Sequence, residues 1–131
     1  MIGDASPRAV ILLDHGSREP DANAQLDALA ALVAARLPGR RVATAHLSLA
    51  APTLAEAAAD CVRAGARELV VVPCLLAPGR HVREDLPRLC AELRAAHPQV
   101  SVLLAAPLGS DPRIADALAA RAEAAIDDSE P

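Results

Sequence analysis

Four histidines occur in this 131-residue chain, and three of them fall where a side chain can meet a ligand. His15 lies in Ile11-Leu12-Leu13-Asp14-His15-Gly16-Ser17-Arg18. His81 ends the run Val70-Val71-Val72-Pro73-Cys74-Leu75-Leu76-Ala77-Pro78-Gly79-Arg80-His81. Each apolar run reads as a strand buried on both faces, followed by a glycine-containing loop and then a helical stretch. In an open α/β sheet, ligands bind at the loops past the carboxyl ends of the strands. Neutral imidazole is the commonest metal ligand near physiological pH, so the pair is a candidate metal-handling site. A structural zinc site is closed by four ligands. Two histidines leave positions open, which suits an ion that is delivered or exchanged. Imidazole accepts cobalt, iron and nickel alike, so the pair does not name the metal.

His46 is the third candidate, as a ligand or a general base. It falls near the end of an expected second strand, where side chains at 46 and 48 share a face. His46 and Ser48 then point together, either at the site or into a helix interface. His97, before Pro98, reads as a helix-end residue without a catalytic role. Arg18, Arg80 and Arg83 surround the two histidine loops. With the N–H groups of the Gly16-Ser17 loop and the helix N-termini they form an expected anion site. Asp14, Glu19, Glu84 and Asp85 are nearby carboxylates able to accept a proton, Asp85 serving equally well as a helix cap. There is no Walker or dinucleotide fingerprint and no serine nucleophile elbow.

The elements that must position these residues alternate. Strands are expected over residues 8–14, 42–49, 69–76 and 100–105. Helices are expected over 20–37, 54–64 and 112–126, with one more starting between Val82 and Leu86 and running to about Ala96. Thr53 and Glu56 form a capping box. Gly65 stops the second helix, and Pro112 suits a first helical position. Pro87 confines the third helix start, because proline is tolerated in a first turn and not in a helix interior. Residues 127–131 read as a frayed tail. The pattern βαβαβαβα predicts one α/β domain over 1–131, a flavodoxin-like three-layer αβα sandwich on a four-stranded parallel sheet. In the usual flavodoxin-like order the first and third strands are neighbours, which brings His15 and His81 to one switch point.

Hydrophobic residues make up 53% of the chain, yet Phe, Trp and Tyr are absent, so the core must be aliphatic. A planar ligand must be held by aliphatic walls, with Leu75, Leu76 and Leu108 as candidates, and by charge. Every basic residue is an arginine, whose planar fork suits carboxylates. A net charge of −4 argues against nucleic-acid binding. No apolar run approaches a membrane span, and residues 1–4 show no signal-peptide pattern. Cys61, Cys74 and Cys90, odd in number and without a paired motif, read as reduced thiols of a cytoplasmic protein.

Four segments, in register with the strand pattern, are similar to one family. They are Asp14-His15-Gly16-Ser17-Arg18 with Asn23; Ala45-His46-Leu47 with Leu49-Ala50 and Pro52; Pro78-Gly79-Arg80-His81 with Asp85 and Pro87; and Ala106-Pro107-Leu108-Gly109. Over residues 8–118 the chain resembles the short single-domain sirohydrochlorin chelatases, ATP-independent class II enzymes of siroheme and cobalamin synthesis. The resemblance implies a chelatase fold, a homodimer, sirohydrochlorin as partner, and cobalt or iron (nickel in relatives) as substrate with no tightly bound cofactor. It implies that residues matching His15 and His81 handle the metal. It also shows a departure: the family carries a glutamate where this chain has Ser48, and His46 on the same strand face is the residue placed to take over. Two functions follow as expectations, a sirohydrochlorin chelatase and a non-catalytic metal or tetrapyrrole carrier of the same fold. A phosphate-binding flavodoxin-like module, with Gly16-Ser17 as anion nest, has no use for His81.

Overall fold

A computed structural model describes residues 7–109 and 111–129. Four strands, β1 (Arg8–Asp14), β2 (Arg41–His46), β3 (Glu68–Pro73) and β4 (Ser101–Leu104), alternate with four helices, α1 (Pro20–Arg36), α2 (Leu54–Arg63), α3 (Arg80–Ala96) and α4 (Pro112–Ser129). The sheet is wholly parallel in the order β2-β1-β3-β4. The expected α/β class and the adjacency of β1 and β3 are both observed. Leu13 is registered against Ala45 on one side and Pro73 on the other, so the carboxyl ends of three strands come level.

Strand alternation sorts the core into two layers. On one face Ile11, Leu13, Leu69 and Val71 meet Ala58 and Cys61 of α2 and Leu86, Cys90 and Leu93 of α3. On the other, Val10 and Leu12 meet Leu26 and Ala30 of α1. The thiols Cys61 and Cys90 are buried and free, and burial pushes both up from the ordinary thiol range. They are small apolar fillers rather than nucleophiles.

The boundaries depart from expectation where local bonding intervenes. β2 stops at His46 rather than Leu49, because the chain turns there and Leu49 adopts φ +69°. β3 stops at Pro73 rather than Leu76. α3 starts at Arg80, so His81 lies inside its first turn and Pro87 inside the helix. The ring at position 87 removes one i→i−4 bond, to the Arg83 carbonyl; Arg83 is exposed, where water can serve that carbonyl. Thr53 does form the capping box with Glu56, and Gly65 takes φ +107° just past α2. α4 continues through Ser129, three residues beyond the expected end, while residues 1–6, 130 and 131 lie outside the described part.

Leu13 is wholly buried at the centre of the larger core layer. Its replacement by alanine is expected to cost about 2–5 kcal/mol by removing contacts and leaving a cavity. Urea denaturation measures this, and a loss below about 1 kcal/mol would remove Leu13 from the core.

Candidate functional site

The carboxyl edge of the sheet is assembled by backbone contacts between loops. Past β1, the carbonyl of Asp14 accepts from Leu47 N (2.9 Å) and that of His15 from Ser48 N (3.0 Å). On the other side the Leu13 carbonyl accepts from Cys74 N (2.7 Å). Gly16 then turns with φ +86°. A Cβ at this position would sit 1.9 Å from the Ser48 carbonyl oxygen, so both the conformation and the space require glycine. Asn23, in the first turns of α1, secures the far side. Its Oδ1 accepts from Ser17 N (2.9 Å) and its Nδ2 donates to the Ser17 carbonyl (2.8 Å), while Ser17 Oγ accepts from Glu19 N (3.0 Å). The hydroxyl of Ser17 thus caps local backbone.

His15 and His81 are both exposed at this edge, the first directly beyond β1 and the second in the first turn of α3 beyond β3. Among the described residues no cluster of three or more His, Cys, Asp or Glu side chains is arranged to hold a metal ion. What the fold supplies is two accessible imidazoles past the ends of neighbouring strands, one on a loop and one in a first helical turn.

His46 is placed differently. It is 3% exposed, and its Nδ1 lies 2.5 Å from Asp14 Oδ1. Thr44, two residues earlier on the same strand face, donates to Asp27 of α1 (2.8 Å), so His46 and its partner lie on the α1 side of the sheet. Against an ionised carboxylate Nδ1 carries the hydrogen. His46 therefore lies buried beneath the site, bonded to the residue that precedes His15. Ser48 has left the strand and is exposed, with its Oγ 3.4 Å from the His15 carbonyl, so the pair 46 and 48 does not share a face. The dyad of Asp14 and His46 went unread in the sequence, although strand register makes the two residues direct neighbours.

The arginines are at the rim. Arg18 and Arg83 are exposed, and Arg80 donates to Glu84 one turn on (3.1 Å) along the surface of α3. Asp85 pairs with Arg88 inside the helix and caps nothing. Leu75 is buried and belongs to the interior rather than to a ligand wall. Leu76 and Leu108 are exposed as expected, and Leu49 joins them. Three large apolar side chains on the loops following β2, β3 and β4 thus stand uncovered at the same edge as the two histidines. Exposed apolar surface gathered at one place marks a binding site.

An open parallel α/β sheet with two exposed histidines, arginines and uncovered leucines at its carboxyl edge has the layout of a ligand-binding α/β protein. The chain belongs to the CbiX family, whose model matches residues 9–125. It is 38% identical over 108 residues to a chloroplastic sirohydrochlorin ferrochelatase of Arabidopsis thaliana, covering 82% of this chain and 47% of that one. A CbiX protein from Marinobacter aquaeolei, described as a putative cobalamin-biosynthesis protein, superposes with a TM-score of 0.83 at 32% identity, over 94% of this chain and all of that one. The sirohydrochlorin chelatase SirB from Bacillus subtilis subspecies spizizenii, solved with cobalt, superposes with a TM-score of 0.81 at 27% identity, over 88% of this chain and 50% of that one. The chain spans about half the length of the first curated relatives it matches.

Replacing Gly16 by alanine forces a side chain into the Ser48 carbonyl at an unfavourable φ. A stability loss above about 1 kcal/mol is expected, read as a fall in melting midpoint of about 3 °C or more. A midpoint within about 1 °C of the parent would show that the loops are free to separate.

Proposed function

We propose that this protein is a sirohydrochlorin chelatase, inserting cobalt or iron into the macrocycle without ATP, in the cytoplasm and as a homodimer. The observation that carries the reading is the pair of exposed histidines, His15 just past β1 and His81 in the first turn of α3 past the adjacent β3. Metal insertion needs an ion held where it can shed water, and a base to take two protons from the ring nitrogens. Two imidazoles hold a first-row ion and leave its remaining positions for water and substrate. With both imidazoles on the ion, a carboxylate at the rim such as Glu84 can take up the two ring protons in turn, passing each to solvent; an imidazole that leaves the ion can serve in its place. His46 is the positioning residue, fixing Asp14 and through it the strand end that carries His15. Gly16 and Ser17 shape the loop, and Arg18, Arg80 and Arg83 are placed to meet peripheral carboxylates of the substrate. Arg80 must exchange Glu84 for substrate, a small cost at an exposed pair. Leu49, Leu76 and Leu108 offer the macrocycle face its apolar contact.

The homodimer is what the family resemblance implies. The cytoplasmic assignment is supported by three free thiols, which a reducing compartment preserves. Either His15→Ala or His81→Ala is expected to lower the insertion rate at least about 100-fold, or about 2.7 kcal/mol in the barrier. Anaerobic assays with iron, cobalt and nickel measure it, and unchanged rates in either variant would overturn the assignment.

A second reading, a metal or tetrapyrrole carrier, draws on Ser48. The side chain beside the His15 carbonyl is a hydroxyl, which neither binds a divalent ion strongly nor accepts a proton as a carboxylate does. Ser48→Glu tests the point. A tenfold or greater gain in insertion marks the natural protein as impaired, and cobalt(II) titration of the parent with sirohydrochlorin separates the two readings: a carrier binds without changing the macrocycle spectrum at a catalytic rate, whereas a chelatase changes it.

A further inference from the structure

The amino edge of the sheet, opposite the histidines, carries a second concentration of arginine. Arg8, Glu68 and Ser101 are level with one another on β1, β3 and β4. Arg40 stands just before Arg41, which is level with Ala9 of β1. Pro7, Arg8, Arg40, Arg67, Glu68 and Ser101 line an open cavity of about 490 Å³ at this edge, within the roughly 300–1,000 Å³ of small-molecule sites. β1 is 7 residues long, so the cavity lies about 20 Å from the edge that carries His15.

Backbone bonds fix the positions from which the arginines extend. The Pro7 carbonyl accepts from both Arg67 N (2.6 Å) and Glu68 N (2.9 Å), and the Arg67 carbonyl accepts from Ser101 N (3.0 Å). After α1 the chain turns through Gly39, and Arg40 N donates to the Leu37 carbonyl (3.1 Å). After α2, Ala66 N donates to the Cys61 carbonyl (3.0 Å) and so sets the residue before Arg67. The starts of β1, β2, β3 and β4 thus form one rigid rim.

The charges around the cavity do not balance. Its one carboxylate, Glu68, is already engaged: Oε1 pairs with Arg8, and Oε2 accepts from the Ser101 hydroxyl (3.4 Å). Among the described residues the guanidinium groups of Arg40 and Arg67 make no hydrogen bond and no ion pair. Two positive charges therefore line one cavity of a chain whose net charge is −4. The other explanation for arginines at this edge is the partial negative charge at helix carboxyl ends. Arg36 serves that role on α1 by donating to the Leu32 carbonyl (2.8 Å), whereas Arg40 and Arg67 reach no carbonyl. A guanidinium fork takes a carboxylate or a phosphate through two parallel bonds, and two unused forks on one rim suit a ligand with two anionic groups. We propose that this cavity is a second ligand site, for a small molecule carrying two or more phosphate or carboxylate groups. Arg40 and Arg67 hold the anionic groups. Glu68 repels an anion on its own side and confines the charged part of the ligand to theirs. The site goes beyond metal insertion and does not depend on it.

The test is calorimetric titration of the full chain with pyrophosphate and, separately, with citrate, in about 0.15 M salt so that general charge attraction is screened. The two probes separate a phosphate ligand from a carboxylate one. At least one is expected to bind with Kd near or below about 1 mM. Arg40→Gln and Arg67→Gln are each expected to weaken that binding at least about tenfold, since each removes one bidentate, charge-assisted contact. Arg121→Gln, an equal change of charge on an exposed face of α4, is expected to leave it unchanged. Both cavity arginines are exposed, so the variants should keep the parent's melting midpoint; Arg40→Lys and Arg67→Lys, which keep the charge and lose the fork, replace either one that does not. Absence of binding by both probes overturns the site. So does binding that survives both cavity substitutions, or an equal loss in Arg121→Gln.

Discussion

The carbonyl oxygen of Ser48 occupies the space that a side chain at position 16 would need, and the carboxyl edge of the sheet depends on that contact. It lets the loop after β1 lie directly on the loop after β2, with His15 and Ser48 joined through backbone. The pair of half-buried Asp14 and buried His46 ties the same two strands one residue earlier. On the other side the Leu13 carbonyl carries the bonding on to Cys74. Three loops are therefore fixed to one another before any ligand arrives. Such preorganisation is what a site needs if its side chains are to meet an ion without reordering.

The placing of His46 illustrates the economy of this arrangement. A histidine under a loop, with one nitrogen on a carboxylate, has its ring plane and hydrogen position set by that partner. Removing Asp14 would leave the Nδ1 of buried His46 without this partner, which costs more than the bond itself contributes. The pair holds the end of β1, and the exposed His15 follows immediately. Rigidity is in the interior and the His15 imidazole is outside, where it can be reached.

The alternation of apolar runs and helical spacing made the four strands, the four helices and the carboxyl-edge location of His15 and His81 legible in the sequence. Thr53 and Glu56 marked a helix start correctly because capping is a local interaction. The failures came where tertiary contacts overrule local preference. Pro87 implied a late start for α3, yet burial of Leu86, Cys90 and Leu93 against the sheet outweighs the single backbone bond that the proline removes. The apolar run 69–76 spans more than its strand, because Leu75 and Leu76 belong to the loop and one is buried while the other is exposed. His46 was undecided because alternation gives a face without saying what lies opposite. Only register, which sequence spacing does not contain, puts Asp14 there.

A chain without aromatic residues must bind a flat ligand by other means, and the fold supplies them from separate loops. Leucines at 49, 76 and 108 offer contact area on flexible side chains, so the fit to a ring face is adaptable rather than stacked. Orientation must then come from charge at the rim, where arginines supply directional, bidentate partners for carboxylates. Under the proposed function this divides the work: apolar contact would contribute attraction with little preference for orientation, and the guanidinium groups would set the rotation of the ring about its own axis. The two histidines would then act on the centre of the ring, which is the same for every rotation. An error in peripheral recognition would leave metal handling intact and shift the choice of macrocycle, so the proposal assigns ring specificity and metal chemistry to different residues.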